Sequence, residues 1–139
     1  MKISNIKMPS AAVKADAAVL FDIDGVLVDV TLSYRKAIQE TVGFFTGEKV
    51  QLKEIQAFKE KGGYNNDWDL TGAIIKDRGR IVPIEEVICK FQEYYLGCGG
   101  RKGFIENEEW LLSVEVLKRL ASRYVLGIVT GRPRQEAFY

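Results

Sequence analysis

Two carboxylates, Asp22 and Asp24, stand two positions apart at the end of an apolar run at residues 17–21. The run predicts a strand buried on both faces of a parallel sheet. Unpaired carboxylates at its end would cost several kcal/mol each unless a cation or hydrogen bonds compensated them. Oxygen ligands favour Mg²⁺. Because open α/β sheets bind ligands at the carboxyl ends of their strands, we expect Asp22 and Asp24 to form a magnesium site there.

Composition limits the other chemistry available to the chain. Its 139 residues are 47% hydrophobic and 28% charged, which is typical of one globular domain with at most a modest insertion. With 20 Lys and Arg against 19 Asp and Glu, the formal charge is +1, so we expect no nucleic-acid partner and no membrane partner. The sequence has no His, which excludes Ser-His-Asp hydrolysis and imidazole-based zinc sites.

The cysteines and the N-terminal segment predict a cytoplasmic protein. Cys89 and Cys98 would point to opposite sides of a single helix, so we expect unpaired thiols, buried as small hydrophobic residues in a reducing compartment. The apolar stretch before Asp24 is far too short to span a membrane, and no secretory cleavage site follows it.

Hydrophobic periodicity and glycine positions predict the elements that position Asp22 and Asp24. The first strand is followed by four helical segments, each ending at or just before a glycine: residues 31–47, 52–61, 67–78 and 83–96. The glycine-rich residues 97–103 then predict a loop or hinge. Glu108 and Glu109 open a further predicted helix, whose inner face comprises Trp110, Val114, Leu117 and Ala121.

Residues 124–130 predict a second buried strand, which completes a strand, helical insertion, helix, strand order. This order is typical of a crossover unit in an α/β sheet. We therefore predict an α/β fold with a core domain at residues 1–30 and 98–139 and an inserted all-helical domain at residues 31–97.

The string Phe-Asp-Ile-Asp-Gly-Val-Leu-Val-Asp at residues 21–29 resembles the first signature motif of the haloacid dehalogenase-like (HAD) hydrolase superfamily. The resemblance implies a Rossmann-like core in which Asp22 attacks phosphorus and forms an aspartyl-phosphate. It implies that Asp24 protonates the leaving alcohol and then activates water, while its backbone carbonyl joins Asp22 on Mg²⁺. Members that cleave carbon–halogen bonds lack the second Asp, so Asp24 favours phosphate esters. Gly25 would let the chain turn where the phosphate meets backbone amides.

A second match, Ile-Val-Thr-Gly-Arg-Pro at residues 128–133, resembles the second motif of the superfamily. The resemblance implies that the hydroxyl of Thr130 and the next amide, that of Gly131, bind the phosphate. Arg132 would then either add positive charge near the substrate or be a solvated surface cation. Asp29, at the end of the first motif, either tunes the site or, more simply, caps the following helix.

The helical insertion resembles the cap of the branch that includes phosphoglycolate phosphatase and β-phosphoglucomutase. This implies that it closes over the site and that a loop near residues 61–68 helps to select the substrate. The candidate specificity residues in that loop are Lys61, Gly62, Tyr64, Asn65, Asn66 and Trp68. In the structural alternative, Asn66 or Asp67 caps the next helix and Trp68 packs in the core.

The resemblance covers the cap and about the first half of the core. The third motif, a Lys or Arg, and the acidic fourth motif of the superfamily belong to later strands and have no counterpart up to Tyr139. We therefore expect an incomplete core with an open sheet edge. We expect a fragment of a longer enzyme, a shortened product, or a short protein that completes its sheet through another chain or by self-association.

Together these motifs predict a magnesium-dependent phosphoric monoester hydrolase that acts on a small phosphorylated metabolite. We expect the 139-residue chain alone to hydrolyse p-nitrophenyl phosphate poorly. A phosphomutase shares both motifs, although hydrolysis is the more frequent outcome in the superfamily. The alternative from another class is a noncatalytic module that binds a partner through the insertion or the open sheet edge.

Overall fold

The computed structural model describes residues 17–64 and 66–139. The elements in chain order are β1 Ala18–Phe21, β2 Val28–Asp29, α1 Tyr34–Thr46, α2 Leu52–Lys61, α3 Asp67–Asp77, α4 Ile84–Tyr95, β3 Gly97–Cys98, β4 Arg101–Lys102, a 3₁₀ helix Phe104–Asn107, β5 Glu109–Trp110, α5 Val114–Ala121, β6 Val125–Ile128 and α6 Arg134–Ala137. The described residues divide into two compact units, a helical unit within Val28–Trp110 and a sheet unit of residues 17–27 with Leu111–Tyr139.

The sheet unit contains the two predicted strands, which pair in parallel. Residues Ala18 and Phe21 of β1 lie opposite Val125 and Ile128 of β6. The amide of Val129 extends the pairing by donating to the carbonyl of Phe21 at 2.9 Å. The carboxyl ends of both strands therefore lie at one edge of the sheet, as the α/β prediction requires.

The prediction that both strands are buried is wrong for the described residues. The side chains of Leu20 and Ile128 are 64% and 56% exposed. Within residues 17–64 and 66–139 this sheet comprises β1 and β6 alone. Since a parallel strand is buried by neighbouring strands and by helices on both faces, a two-stranded sheet leaves its apolar side chains in contact with solvent.

The helical unit is organised around α1, α3 and α4, which pack on one another. The predicted apolar stripes of α1 and α4 supply much of its core, and Tyr34 of α1 stacks on Tyr95 of α4 with ring centroids 4.4 Å apart. The buried cluster consists of Ala37, Ile38, Val42, Val50, Ile55, Leu70, Ile74, Ile75, Val87, Phe91, Tyr95 and Ile105. The four predicted helices are thus present in this unit.

Two short strand pairs also lie in the helical unit, and apart from Gly97 their residues fall outside the predicted all-helical insertion at residues 31–97. The glycine-rich segment forms the hairpin of β3 and β4 rather than an irregular loop, with Gly99 and Gly100 at positive φ in its turn. A Cβ at Gly103 would lie 2.3 Å from the carbonyl oxygen of Tyr95, so the chain passes there too closely for a side chain.

The second strand pair joins the first and last residues of the helical unit. Strands β2 and β5 are antiparallel, with Val28 opposite Trp110. Beside them, the buried hydroxyl of Ser33 donates to Oε1 of Glu108 at 2.6 Å, and the phenol of Tyr95 donates to the same oxygen at 3.1 Å. Backbone and side-chain hydrogen bonds therefore hold the first and last residues of this unit close together.

This pairing also corrects the predicted helix at Glu108 and Glu109. Residues Glu109–Trp110 form β5, and Trp110 is exposed instead of lying on an inner helix face. The helix starts later, at Val114, because Ser113 provides the N-cap and its hydroxyl accepts from the amide of Val116.

The two cysteines are free and exposed, so the prediction of buried thiols is wrong, whereas the prediction that they are unpaired is confirmed. Within the described ranges, no helix has both the length and the apolar composition needed to cross a membrane.

Candidate active site

Asp22 and Asp24 lie in the turn that follows β1. Asp22 is exposed, and its Oδ1 accepts a hydrogen bond from the amide of Ile23 at 2.7 Å. Ile23 points the other way and is buried, as alternation along an extended chain requires. The amide of Leu27 donates to the carbonyl of Ile23 at 3.0 Å, and Gly25 has a φ of +73°, a conformation that favours glycine. The chain thus reverses immediately after Asp24.

Thr130, Gly131 and Arg132 follow β6 at the same edge of the sheet. The hydroxyl of Thr130 accepts from the amide of Arg132 at 3.2 Å and so holds this turn. Gly131 is exposed, and a Cβ added to it would meet no atom within 4 Å. The resemblance to the second motif predicted that these residues share a site with the aspartates, and the parallel pairing of β1 and β6 puts the two turns at one edge.

Arg132 forms an ion pair with Asp24. Its Nε donates to Oδ1 of Asp24 at 2.6 Å, and its Nη2 lies 2.6 Å from the same oxygen. The side chain of Arg132 is only 3% exposed, whereas that of Asp24 is 36% exposed. The interpretation of Arg132 as a solvated surface cation is therefore wrong. The pair joins residues 108 positions apart, and no local pattern in the sequence signals it.

Two oxygen atoms at the end of β1 are candidate ligands for a metal ion. The carboxylate of Asp22 and the backbone carbonyl of Asp24 are oxygen donors of the kind that Mg²⁺ prefers, and the carboxylate of Asp24 is engaged by Arg132. Among residues 17–64 and 66–139 there is no group of three or more His, Cys, Asp and Glu that could hold a metal ion. The donors fit Mg²⁺ chemically but cannot complete its coordination by themselves.

The candidate specificity loop belongs to the helical unit and has largely structural contacts. Asn66 caps α3, since its Oδ1 accepts from the amide of Asp69 at 2.8 Å, and Trp68 packs against the core. Gly62 ends α2, and Lys61 lies over the ring of Phe58, 4.7 Å from its centroid. These contacts agree with the structural alternative, in which Asn66 caps the next helix and Trp68 packs in the core.

Tyr64 lines a shallow depression of about 370 Å³ together with Lys59, Asn66, Asp67 and Leu70. Lys59 was not predicted as part of this loop, and its Nζ is paired with Oδ1 of Asp67 at 2.8 Å. Asn65, the remaining candidate, lies outside the described residues.

Asp29 does not cap α1. Its Oδ1 accepts from the amide of Thr31 at 2.9 Å, and the N-cap position belongs to Ser33. Hydrogen bonds from the hydroxyl and the amide of Thr31 hold the pKa of Asp29 below its usual value. The carboxylate therefore stabilises the turn that leads into the helix, and the helix-cap interpretation is wrong.

Comparisons with known proteins agree with the motif at β1. The family model for haloacid dehalogenase-like hydrolases matches residues 17–138. The imidazoleglycerol-phosphate dehydratase of Phytophthora nicotianae is 37% identical over 125 residues, which cover 86% of this chain but 27% of that protein. This chain therefore spans about a quarter of the length of that relative.

A solved structure, the phosphatase Tt82 from Thermococcus thioreducens, resembles this chain with a TM-score of 0.75. The match covers 86% of this chain and 65% of that one at 24% sequence identity, so it shows a shared fold. The α/β fold class and the family resemblance are both confirmed. Since the family model spans both turns of the candidate site and nearly all described residues, the chain belongs to the haloacid dehalogenase-like hydrolase family.

Proposed function

We propose that this protein is a magnesium-dependent phosphoric monoester hydrolase that works through an aspartyl-phosphate on Asp22. The observation that carries the proposal is the division between two neighbouring carboxylates. Asp22 is exposed at the end of β1, whereas the carboxylate of Asp24 is held by a buried arginine. Because their surroundings differ, the two carboxylates can take different roles. We assign Asp22 as the nucleophile and Asp24 as the proton-transfer group.

In the first step, the carboxylate of Asp22 attacks phosphorus, and the bond from phosphorus to the ester oxygen breaks. Asp24 gives a proton to the leaving alkoxide, which departs as the alcohol. In the second step, water attacks phosphorus, its proton passes to Asp24, and the bond between phosphorus and Asp22 breaks to release inorganic phosphate. The protonation state of Asp24 is thus restored after each turnover.

The turn after β6 would bind the phosphoryl oxygens. The hydroxyl of Thr130 and the amide of Gly131 are donors, and the open space around Gly131 admits a tetrahedral group. Gly25 allows the opposite turn to approach the same group. A Mg²⁺ ion held by Asp22 and the carbonyl of Asp24 would neutralise negative charge on the phosphoryl group.

We propose a small phosphorylated metabolite as the substrate. The relative from Phytophthora nicotianae is named for a small phosphate ester, which supports this class. Its dehydratase chemistry is not transferred, since the match covers 27% of that protein. The helical unit would act as the cap, with the depression beside Tyr64 and Asn66 as its recognition surface, together with Lys61, Gly62 and Trp68.

We propose slow turnover by the 139-residue chain, because its described residues supply only two magnesium ligands and no lysine beside the phosphate turn. The rate of p-nitrophenyl phosphate hydrolysis with Mg²⁺ is expected to be low, whereas acetyl phosphate, whose acetate leaves without a proton, should still phosphorylate Asp22. Robust turnover that Asp22→Asn abolishes would contradict this part of the proposal while supporting the role of Asp22.

We also propose that the sheet unit mediates self-association. Leu20, Ile128 and Val129 are each more than half exposed, and exposed apolar strands are ready surfaces for pairing. Sedimentation equilibrium is expected to show dimers that Ile128→Lys weakens. A monomer at every concentration would contradict this proposal.

The role of Asp22 can be tested without turnover by using beryllofluoride, which binds a nucleophilic carboxylate in the manner of a phosphoryl group. Fluorine NMR with millimolar Mg²⁺ is expected to show bound beryllofluoride in the unmodified chain and in Asp24→Asn. The signal is expected to be absent from Asp22→Asn, which removes the attacking oxygen. Equal binding by Asp22→Asn, or no binding by the unmodified chain, would contradict the proposed function.

A further inference from the structure

We infer that Arg132 is a positioning residue that holds the carboxylate of Asp24 in the orientation needed for the second step of the reaction. The inference rests on the proposed function, since it assigns Arg132 to the group that activates water. It differs from the sequence interpretation, in which Arg132 would contact substrate or solvent.

The contact between Arg132 and Asp24 restricts the orientation of the Asp24 carboxylate as well as its distance from the guanidinium. Nε and Nη2 of Arg132 both lie 2.6 Å from Oδ1 of Asp24, so the guanidinium meets one carboxylate oxygen with two nitrogens. The charge-assisted hydrogen bond from Nε is stronger than a neutral hydrogen bond, and together with the ion-pair contact of Nη2 it fixes the position of Oδ1. The orientation of Asp24 therefore depends on that of Arg132.

Arg132 is itself held firmly. Its side chain is only 3% exposed, and its amide donates to the hydroxyl of Thr130. Pro133 follows directly with a φ of −54° and restricts the backbone on the other side. A rigid, buried arginine can orient a partner, whereas a mobile surface arginine cannot.

The neighbouring Arg134 provides a matched control. It lies two residues further along at the start of α6, it is exposed, and its guanidinium lies over the ring of Phe138 at 5.8 Å. Arg134→Gln removes the same charge from the same segment without touching the contact to Asp24.

The two steps of the reaction depend differently on Asp24. When acetyl phosphate donates its phosphoryl group to Asp22, the leaving acetate needs no proton from Asp24. Hydrolysis of the aspartyl-phosphate does require Asp24, because the attacking water must lose a proton. Loss of Arg132 should therefore prolong the lifetime of the phosphorylated chain and leave its formation largely unchanged.

The test measures formation and decay of the hydroxylamine-sensitive phosphoryl adduct after a pulse of acetyl phosphate with Mg²⁺. We expect Arg132→Gln to lengthen the adduct lifetime about 10- to 100-fold, in the range for groups that orient a reacting residue. Arg132→Lys, which keeps the charge but lacks the Nε donor, is expected to lie between Arg132→Gln and the unmodified chain. Arg134→Gln is expected to match the unmodified chain, and circular dichroism checks that each variant is folded.

An unchanged adduct lifetime in folded Arg132→Gln, beside a prolonged one in Asp24→Asn, would overturn this inference and leave the proposed function intact. Absence of any adduct in the unmodified chain would instead contradict the proposed function. In that case the rate at which the side-chain Nε–H of Arg132 exchanges with solvent, measured by NMR, tests whether Arg132 positions Asp24. We expect this Nε–H to exchange slowly with solvent and to exchange faster in Asp24→Asn, and exchange as fast as that of Arg134 would overturn the inference.

Discussion

The helical unit and the sheet unit bury their apolar side chains to very different extents. Twelve buried residues form one continuous cluster in the helical unit. In the described part of the sheet unit, the buried apolar residues are Ile23 and Leu27, while β1 and β6 expose much of their surface. Since apolar burial is the main source of folding free energy, the helical unit should provide most of the stability of the chain.

The candidate catalytic and phosphate-binding residues lie in the sheet unit, which buries less apolar surface. Asp22, Asp24, Thr130 and Arg132 are held by local hydrogen bonds and one ion pair instead of by a surrounding core. Most of the apolar burial and the candidate site thus lie in different parts of this chain. Substitutions in the two units should therefore have separable effects.

The largest expected effect is on the core of the helical unit. Phe91 of α4 is fully buried and its ring stacks on Tyr34 of α1, so Phe91→Ala should lower the free energy of unfolding by about 3–5 kcal/mol. Phe138, 82% exposed in the sheet unit, is the matched control, and Phe138→Ala should change it by less than about 0.5 kcal/mol. Urea denaturation measures both values, and equal effects would remove the contrast between the units.

The second prediction compares the stability of two glycine-to-alanine variants, one in each unit. A Cβ at Gly103 would lie 2.2 Å from the backbone carbon of Leu96, whereas one at Gly131 would meet nothing within 4 Å. Gly103→Ala should therefore destabilise the helical unit by about 1–3 kcal/mol, because backbone atoms must move apart. Gly131→Ala should be close to neutral. Thermal unfolding of the two variants tests the difference, and a neutral Gly103→Ala would show that the hairpin relaxes at little cost.

The third prediction compares the effects of Asp24→Asn and Asp22→Asn on the free energy of unfolding. Asp24→Asn removes the carboxylate that contacts the buried guanidinium of Arg132 and should cost about 1–3 kcal/mol of unfolding free energy. Asp22→Asn should cost less than about 0.5 kcal/mol, because the side chain is exposed and asparagine can still accept from the amide of Ile23. Chemical denaturation compares them, and a larger loss in Asp22→Asn would reverse this assignment.

The smallest effect is a pH dependence in the helical unit. The amide of Gln51, with a further contribution from Arg78, holds the pKa of Glu54 below its usual value of 4.5. Because the folded pKa is depressed, the stabilisation is present above 4.5 and is lost as the pH falls through the folded value. Unfolding measured at neutral and acidic pH should show a slightly smaller loss on acidification in Glu54→Gln. An identical pH profile would contradict the contribution of Glu54.

The sequence predicted the fold well wherever local pattern decides structure. Helix α2 has the predicted bounds, because an amphipathic stripe runs up to the stop at Gly62, and α4 begins at Ile84, one residue after the predicted start at Pro83. The strand before Asp22 and the strand before Thr130 were also found, since both are short apolar runs that end in polar residues.

The misses involve contacts between distant residues. Strands β2 and β5 pair over only two residues each, which leaves no period to detect, and Glu109 was therefore assigned to a helix. The burial of Arg132 depends on Asp24 across 108 positions, and a single sequence does not reveal such a partner. The exposure of Cys89 likewise depends on which face of α4 meets the core. The site motif was thus predictable, whereas the ion pair that organises it was not.

The proposed function depends most on the nucleophilic role of Asp22. The most direct measurement is mass spectrometry of Asp24→Asn after exposure to acetyl phosphate and Mg²⁺, because this variant should form the adduct but hydrolyse it slowly. We predict one phosphoryl group, removable by hydroxylamine, on the peptide that contains Asp22. Phosphorylation of a different residue, or of none, would contradict the role of Asp22 as the nucleophile.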